Sequence, residues 1–177
     1  MKRVSVIGTT GSGKTTFARE LARRMNARHI ELDALHWEPN WIEAPREIFR
    51  ARVELATRGA AWTVDGNYSQ ARDIVWARAD TIVWLDYPFP VVLWRLSTRT
   101  FKRVFTREEL WNHNRENFAT QFFTRDSLFL WLIQTYWRRR REYPELFARP
   151  ENQHLAIVQL NSPRRAQTWL EHITVET

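Results

Sequence analysis

Eight residues near the start of the chain, Gly8-Thr9-Thr10-Gly11-Ser12-Gly13-Lys14-Thr15, constrain everything that follows. They fit the phosphate-binding loop pattern G-x-x-x-x-G-K-[ST] at each fixed position, with Thr16 completing the run. The flanks match what the pattern needs. Val4-Ser5-Val6-Ile7 reads as a short buried strand. Phe17, Leu21 and Met25 recur at i, i+4, i+8, so a helix follows. Glycines let the backbone curl until its N–H groups point inward at phosphate oxygens, and the helix N-terminus adds partial positive charge. In such a loop Lys14 reaches the β- and γ-phosphates and the Thr15 hydroxyl holds Mg²⁺.

Beyond the loop, apolar runs and helical periods alternate. His29–Leu32 predicts a second strand ending at Asp33, and residues 34–41 read as an aromatic loop. Pro45 opens a helix bearing Phe49, Val53 and Ala56 on one face, closed by Gly59. A third strand, Ala61–Val64, ends at Asp65-Gly66-Asn67-Tyr68, and Ser69 is placed to cap a short helix. Thr81–Leu85 is the fourth and most apolar strand, ending at Asp86. The next helix, about Pro90–Val104, carries Leu93, Leu96, Thr100 and Val104 on one stripe and Arg95, Arg99, Lys102 and Arg103 on another. Residues 106–124 are polar and read as irregular. A long helix then runs from Asp126 through Arg138–Arg141. Leu155–Leu160 is a fifth strand, and Ser162-Pro163 starts the last helix. This pattern predicts a three-layer α/β fold: a five-stranded parallel sheet, helices on both faces and a helical lid, as one domain over residues 1–177. Ligands of such sheets bind beyond the carboxyl ends of the strands, where Asp33, Asp65 and Asp86 fall.

Composition narrows the chemistry. The absence of cysteine excludes disulfides, thiolate metal sites and a cysteine nucleophile. No apolar run approaches membrane-span length and no signal peptide is visible, so the expectation is a cytoplasmic protein without a membrane partner, as a monomer or a homodimer. The net charge is +7. Residues 95–150 hold twelve arginines and lysines against six acids, which places most of that surplus in one third of the chain. Arginines closing on a triphosphate produce such a bias, and so does a nucleic-acid surface.

Four stretches resemble one group of proteins: Gly8–Thr16, Leu32-Asp33-Ala34-Leu35-His36-Trp37, Trp62–Tyr68 and Trp84-Leu85-Asp86-Tyr87-Pro88. Together they look like the adenylate-kinase-like phosphotransferases built on the P-loop NTPase fold. More narrowly they resemble the small bacterial topology modulation proteins, described also as adenylate kinase and related kinases. The resemblance implies a substrate-side segment at about 34–60, a lid at about 106–125 and arginines brought onto the phosphates. Asp65-Gly66 matches the Asp-Gly that ends the third strand of adenylate kinases, where the aspartate sits near Mg²⁺. Those kinases continue Phe-Pro-Arg, whereas here the residues are Asn67-Tyr68-Ser69 and the next arginine is Arg72. Asp33-x-Leu35-His36 instead looks like the acceptor-side motif of sugar-acid kinases, in which the aspartate faces the substrate hydroxyl.

These readings assign candidate roles. Gly8, Thr9, Thr10, Gly11, Ser12, Gly13, Lys14, Thr15 and Thr16 bind ATP. Thr15 and Asp65 serve Mg²⁺, with Asp86 the rival to Asp65. Asp33 accepts the proton of an acceptor hydroxyl, orients a Mg²⁺ water, or caps its loop. Arg95 and Arg99, one turn apart, face the transferred phosphoryl group or form a solvated basic stripe. Successive helical residues turn about 100° each, so only one or two of Arg138–Arg141 close on the phosphates, and Arg138 is the candidate. His36, Trp37, Trp41 and Tyr68 wall an acceptor pocket or pack in the core. The Asn161-Ser162-Pro163 turn contacts the base, by the same resemblance. The expected function is phosphoryl transfer from Mg·ATP to a small acceptor, a nucleotide or a hydroxyl compound. The alternative is an ATP-dependent, nucleic-acid-associated regulator or a weak ATPase.

Overall fold

The computed structural model describes residues 1–106 and 128–173. The lid expected at about 106–125 lies outside the described residues apart from Thr106, as does Asp126 at the expected start of the long helix. Five strands form one all-parallel sheet: β1 (Arg3–Gly8), β2 (Arg28–Glu31), β5 (Trp62–Asp65), β6 (Thr81–Leu85) and β7 (Ala156–Leu160). Their spatial order is β2-β5-β1-β6-β7. The two apolar strands β5 and β6 flank β1, with Ser5 opposite Val64 on one side and Ile82 on the other. The phosphate loop therefore leaves the centre of the sheet.

Alternation along each strand divides the core into two layers. Val4, Val6, Val83 and Leu85 pack against α1 (Lys14–Arg24), α5 (Phe89–Thr106) and the last helix, α7 (Pro163–Glu171). Ile7, Ile30, Val64, Ile82 and Trp84 face the other way, against α3 (Arg46–Ala56) and α4 (Arg72–Arg78). The helix α6 (Leu128–Phe147) contributes to both layers: Leu132 and Tyr136 join the first, Tyr143 the second. Its arginines lie between those two anchor points. At the helix ends, Ser162 caps α7 by accepting from the Arg165 N–H at 3.2 Å, as its sequence predicts. Ser69, by contrast, makes no cap bond; a 3₁₀ turn at Ser69–Ala71 leads into α4.

The largest departure from expectation is between β2 and α3. Asp33 is not at a strand end, because the strand stops at Glu31 and a single helical turn, α2 (Leu32–His36), begins. Leu32 and His36, four apart, are both buried and drive that turn. The expected loop is a small hairpin, β3 (Trp37–Glu38) against β4 (Ile42–Glu43). Asn40 and Trp41 at its tip both take positive φ, the geometry of a tight hairpin turn. Arg52 ties the hairpin to α3 through Glu38 at 2.7 Å and the Leu35 carbonyl at 3.1 Å. Among the described residues, no helix is long and apolar enough to cross a membrane.

Candidate active site

The phosphate loop is shaped by backbone that other residues would resist. Gly11 (φ 80°) and Gly13 (φ 85°) lie in the left-handed region. A Cβ on Gly11 would also come within 2.8 Å of the Val92 carbonyl and 2.9 Å of Leu96, so the loop lies flat against α5. The turn closes through the Ser12 N–H, which donates to the Thr9 carbonyl at 3.1 Å. Thr9 is buried, Thr10 half-buried and Thr16 exposed on the first turn of α1.

Lys14 lies over this turn. Its ammonium donates to the Thr9 carbonyl at 3.1 Å and makes no ion pair among the described residues. Burial pulls its pKa from 10.5 to about 8, and the nearby Arg139 charge adds to the effect; Asp33 and Asp65 act in the opposite direction. An ammonium that makes no close ion pair among the described residues, beside further cations, fits a polyphosphate. Ser12 adds a buried hydroxyl without a hydrogen-bond partner among the described residues.

Thr15 and Asp65 meet. The Thr15 hydroxyl donates to Asp65 Oδ2 at 2.5 Å, and His29 Nε2 contacts Asp65 Oδ1 at 3.0 Å. Asp65 is the last residue of β5 and is 4% exposed. A hydroxyl and a carboxylate are the hard oxygen donors that Mg²⁺ takes, directly or through its waters, alongside substrate phosphate. The donor set therefore fits that ion. Asp86, at the end of β6, is differently engaged: Arg140 Nε lies 2.9 Å from Oδ1, and Arg140 Nη2 (3.1 Å) and Gln159 (2.8 Å) donate to Oδ2.

Asp33 is coupled to the loop through the charge of Lys14. Tyr68 donates its hydroxyl to Asp33 Oδ1 at 2.5 Å. Burial raises the Asp33 pKa, opposed by the Tyr68 hydrogen bond and the Lys14 charge. Burial, followed by the Asp33 charge, likewise raises the Tyr68 phenol, so the proton stays on Tyr68. The Tyr68 ring is fixed by His36 at 4.4 Å and Phe49 at 5.1 Å between centroids. His36 is 2% exposed and belongs to this packing, with Trp37 at 4.9 Å and Trp41 beyond it.

The arginines sort by what holds them. Arg95 donates to the Ser12 carbonyl at 3.4 Å and lies over the Tyr87 ring at 5.7 Å. Arg99 is half-buried, and its charge bears on Lys14. Arg138 is not brought to the cluster: it pairs with Glu142 one turn along at 3.5 Å and is more than half exposed. Arg139, one residue further, is the α6 cation whose charge acts on Lys14; burial lowers its own pKa, and its guanidinium lies 5.8 Å from the Trp131 ring. Sequence reasoning also passed over Asn67, whose amide donates to the Gly8 carbonyl and accepts from the Gly8 N–H at 3.3 Å. A cavity of about 440 Å³ between α3 and α4, lined by Arg50, Glu54, Ile74 and Arg78, stands apart from this cluster, its arginines paired with Asp73 and Glu54.

Comparison with known proteins follows the same outline. The sequence pattern of the ATPase family associated with various cellular activities (AAA) matches residues 4–86, the stretch from β1 through β6. No curated protein matches the chain in sequence. Among solved structures, shikimate kinase from Aquifex aeolicus superposes with a TM-score of 0.57 at 16% identity, covering 97% of this chain and 92% of that one. A gluconokinase from Sinorhizobium meliloti 1021 gives 0.53 at 19%, over 98% and 93%. A sugar kinase from Janibacter sp. HTCC2649 gives 0.51 at 22%, over 98% of both. The glycine loop between β1 and α1, the strand order and these superpositions agree: the chain has the P-loop NTPase fold, in an arrangement shared with small-molecule kinases.

Proposed function

We propose that this chain is a Mg·ATP-dependent phosphotransferase whose acceptor is a small hydroxyl compound. The observation that carries the reading is Asp33, a carboxylate with a raised pKa, electrostatically coupled to Lys14 and held by Tyr68 through one oxygen. A raised pKa makes it a better proton acceptor, and its second oxygen, without a hydrogen bond among the described residues, is left for an acceptor hydroxyl. The narrower likeness to the topology modulation group belongs to the same proposal, as do the segment at about 34–60 on the acceptor side and the lid at about 106–125.

In this mechanism the protein works by positioning and charge. Bound Mg·ATP supplies the γ-phosphoryl group. The loop amides and Lys14 would hold its phosphates; Thr15 and Asp65 would hold Mg²⁺ or its waters. Asp33 takes the proton from the acceptor hydroxyl as that oxygen bonds to phosphorus and the β–γ bridging bond breaks. Lys14, Arg95, Arg99 and Arg139 stabilise the charge that builds on the phosphoryl oxygens and the departing diphosphate. The test is phosphorus NMR of ATP and Mg²⁺ with nucleoside monophosphates, sugar acids and polyols in turn, using Lys14→Ala as control. A new phosphoryl resonance from a hydroxyl acceptor, lost in Lys14→Ala, is the expected result. Slow inorganic phosphate alone in every mixture rejects transfer and leaves a weak ATPase. Nucleic-acid binding that falls steeply with salt would favour the regulator instead.

A further inference from the structure

Three members of one four-residue run each hold a different part of the site. Asp65 accepts from Thr15, Asn67 bonds both the N–H and the C=O of Gly8, and Tyr68 bonds Asp33. Gly66 makes this possible. Its φ is 135°, and a Cβ there would fall 2.8 Å from Leu32 Cβ, so the run presses directly onto the start of α2. That contact carries Tyr68 to Asp33, 35 residues earlier in the chain. Asn67 is the more unusual member. One side-chain amide satisfies both backbone groups of Gly8, the residue where β1 gives way to the phosphate loop.

We infer that Asn67 and Tyr68 are positioning residues that join the phosphate loop to Asp33, so that one short run sets the nucleotide end and the acceptor end of the transfer path together. The inference rests on the phosphotransferase reading for its purpose, but its geometry is independent of the acceptor. Tyr68 occupies Oδ1 of Asp33, whose charge is coupled to that of Lys14. Asn67 fixes the Gly8 peptide, and through the one bond between the two residues a shift of the loop reaches Tyr68. The charged and titratable groups acting on Asp33 are Tyr68, Lys14, Asp65 and Glu31, and Tyr68 donates a hydrogen bond to it.

The test uses the full chain and needs no acceptor. Carbon-13 NMR follows the Asp33 carboxyl through a pH titration, with the resonance assigned from its loss in Asp33→Asn; isothermal titration calorimetry gives Mg·AMP-PNP affinity. Tyr68→Phe keeps the ring against His36 and Phe49 and removes only the donor. It is expected to raise the Asp33 midpoint by about one pH unit or more, because a hydrogen bond to the charged form is lost. Nucleotide affinity should stay within about twofold, since Tyr68 does not touch the loop. Asn67→Asp keeps the volume and the acceptor for the Gly8 N–H but sets a carboxylate oxygen against the Gly8 carbonyl. It is expected to weaken Mg·AMP-PNP by about tenfold, the scale of one lost hydrogen bond, and to displace the Asp33 resonance as well. An Asp33 midpoint unmoved in Tyr68→Phe, or an Asp33 resonance unmoved in Asn67→Asp, overturns the inference. Failure of the phosphotransferase reading appears separately, as the absence of any phosphorylated product from the parent protein.

Discussion

A buried aspartate closes β5 and another directly follows β6, and the two carboxylates are held in opposite ways. Asp86 at the end of β6 is met by the Arg140 guanidinium and the Gln159 amide. Asp65 at the end of β5 is met by the Thr15 hydroxyl and the His29 ring. The residue type, burial and strand position are alike; the partners are not. At Asp86 a fixed cation already balances the charge, and the pair pins α6 to the sheet. Asp65 has no arginine or lysine within ion-pair distance among the described residues, and its hydroxyl partner is the one a Mg²⁺ ion would share. A strand-end acid is thus available to a metal only where the fold has not spent its charge on packing.

Exchanging each aspartate for asparagine separates the two roles. Asp65→Asn should lower the Mg²⁺ affinity of the nucleotide-loaded protein by up to about 100-fold, as loss of a metal-orienting carboxylate does, with little change in thermal stability. Calorimetric titration of Mg²⁺ into the nucleotide complex reads this directly, and an unchanged affinity would make Asp65 merely structural. Asp86→Asn should do the reverse. Breaking a buried ion pair strands its cation, at about 3–5 kcal/mol when both partners are deeply buried. Arg140 is 41% exposed, so about 2 kcal/mol is the better expectation, or about 4–8 °C in Tm. A Tm that holds while Mg²⁺ affinity collapses would reverse the assignment of the two acids.

How much of this was legible beforehand follows from the range of each signal. The phosphate loop, the alternating strands and the Ser162 cap are local patterns, and each was readable from contiguous residues. Asp65 and Asp86 were both visible as strand ends, but choosing between them needs Arg140, 54 residues beyond Asp86. The α2 turn is five residues long, too short for a helical period to show, so Asp33 read as a strand end. Tyr68 was visible as an aromatic near the site, while its bond to Asp33 depends on Gly66 lying against Leu32. Asn67 left a signal in the sequence, a polar residue directly after a strand-ending Asp-Gly, but nothing local says that its amide reaches Gly8.

Lys14 extends the comparison from the acids to the cation of the phosphate loop. Its pKa is pulled down by burial to about 8 from 10.5. Below pH 8 both folded and unfolded chains carry the proton; between about 8 and 10.5 only the unfolded chain does. Unfolding then takes up a proton, so this lysine makes stability rise with pH across that window, the opposite of a lysine gaining a salt bridge. Chemical denaturation at pH 8, 9 and 10 should show the parent protein gaining on Lys14→Met as pH rises. A difference that stays flat would mean that the ammonium is solvated. The same reasoning predicts that binding Mg·ATP near pH 9 takes up protons, because phosphate oxygens restore the charged form.

The smallest effect tests adjacent residues on α6. Arg138 faces solvent and pairs with Glu142 at i+4; Arg139, the next residue, is half-buried and its charge acts on Lys14. An exposed i,i+4 pair contributes about 0.3–0.5 kcal/mol, so Arg138→Ala should move Tm by no more than about 2 °C and leave nucleotide affinity where it was. Arg139→Ala removes a partly desolvated cation that makes no close ion pair among the described residues, the Glu142 charge acting on it only weakly. Its loss should weaken ATP by several-fold and raise the Lys14 pKa, because a repelling charge has gone. Calorimetry on both variants, with the lysine titration followed by nitrogen-15 NMR, reads the contrast. Equal effects from the two arginines would mean that α6 presents a general basic face. Unequal effects in this direction would mean that the turn of one residue, about 100° around the helix, separates a surface ion pair from a phosphate ligand.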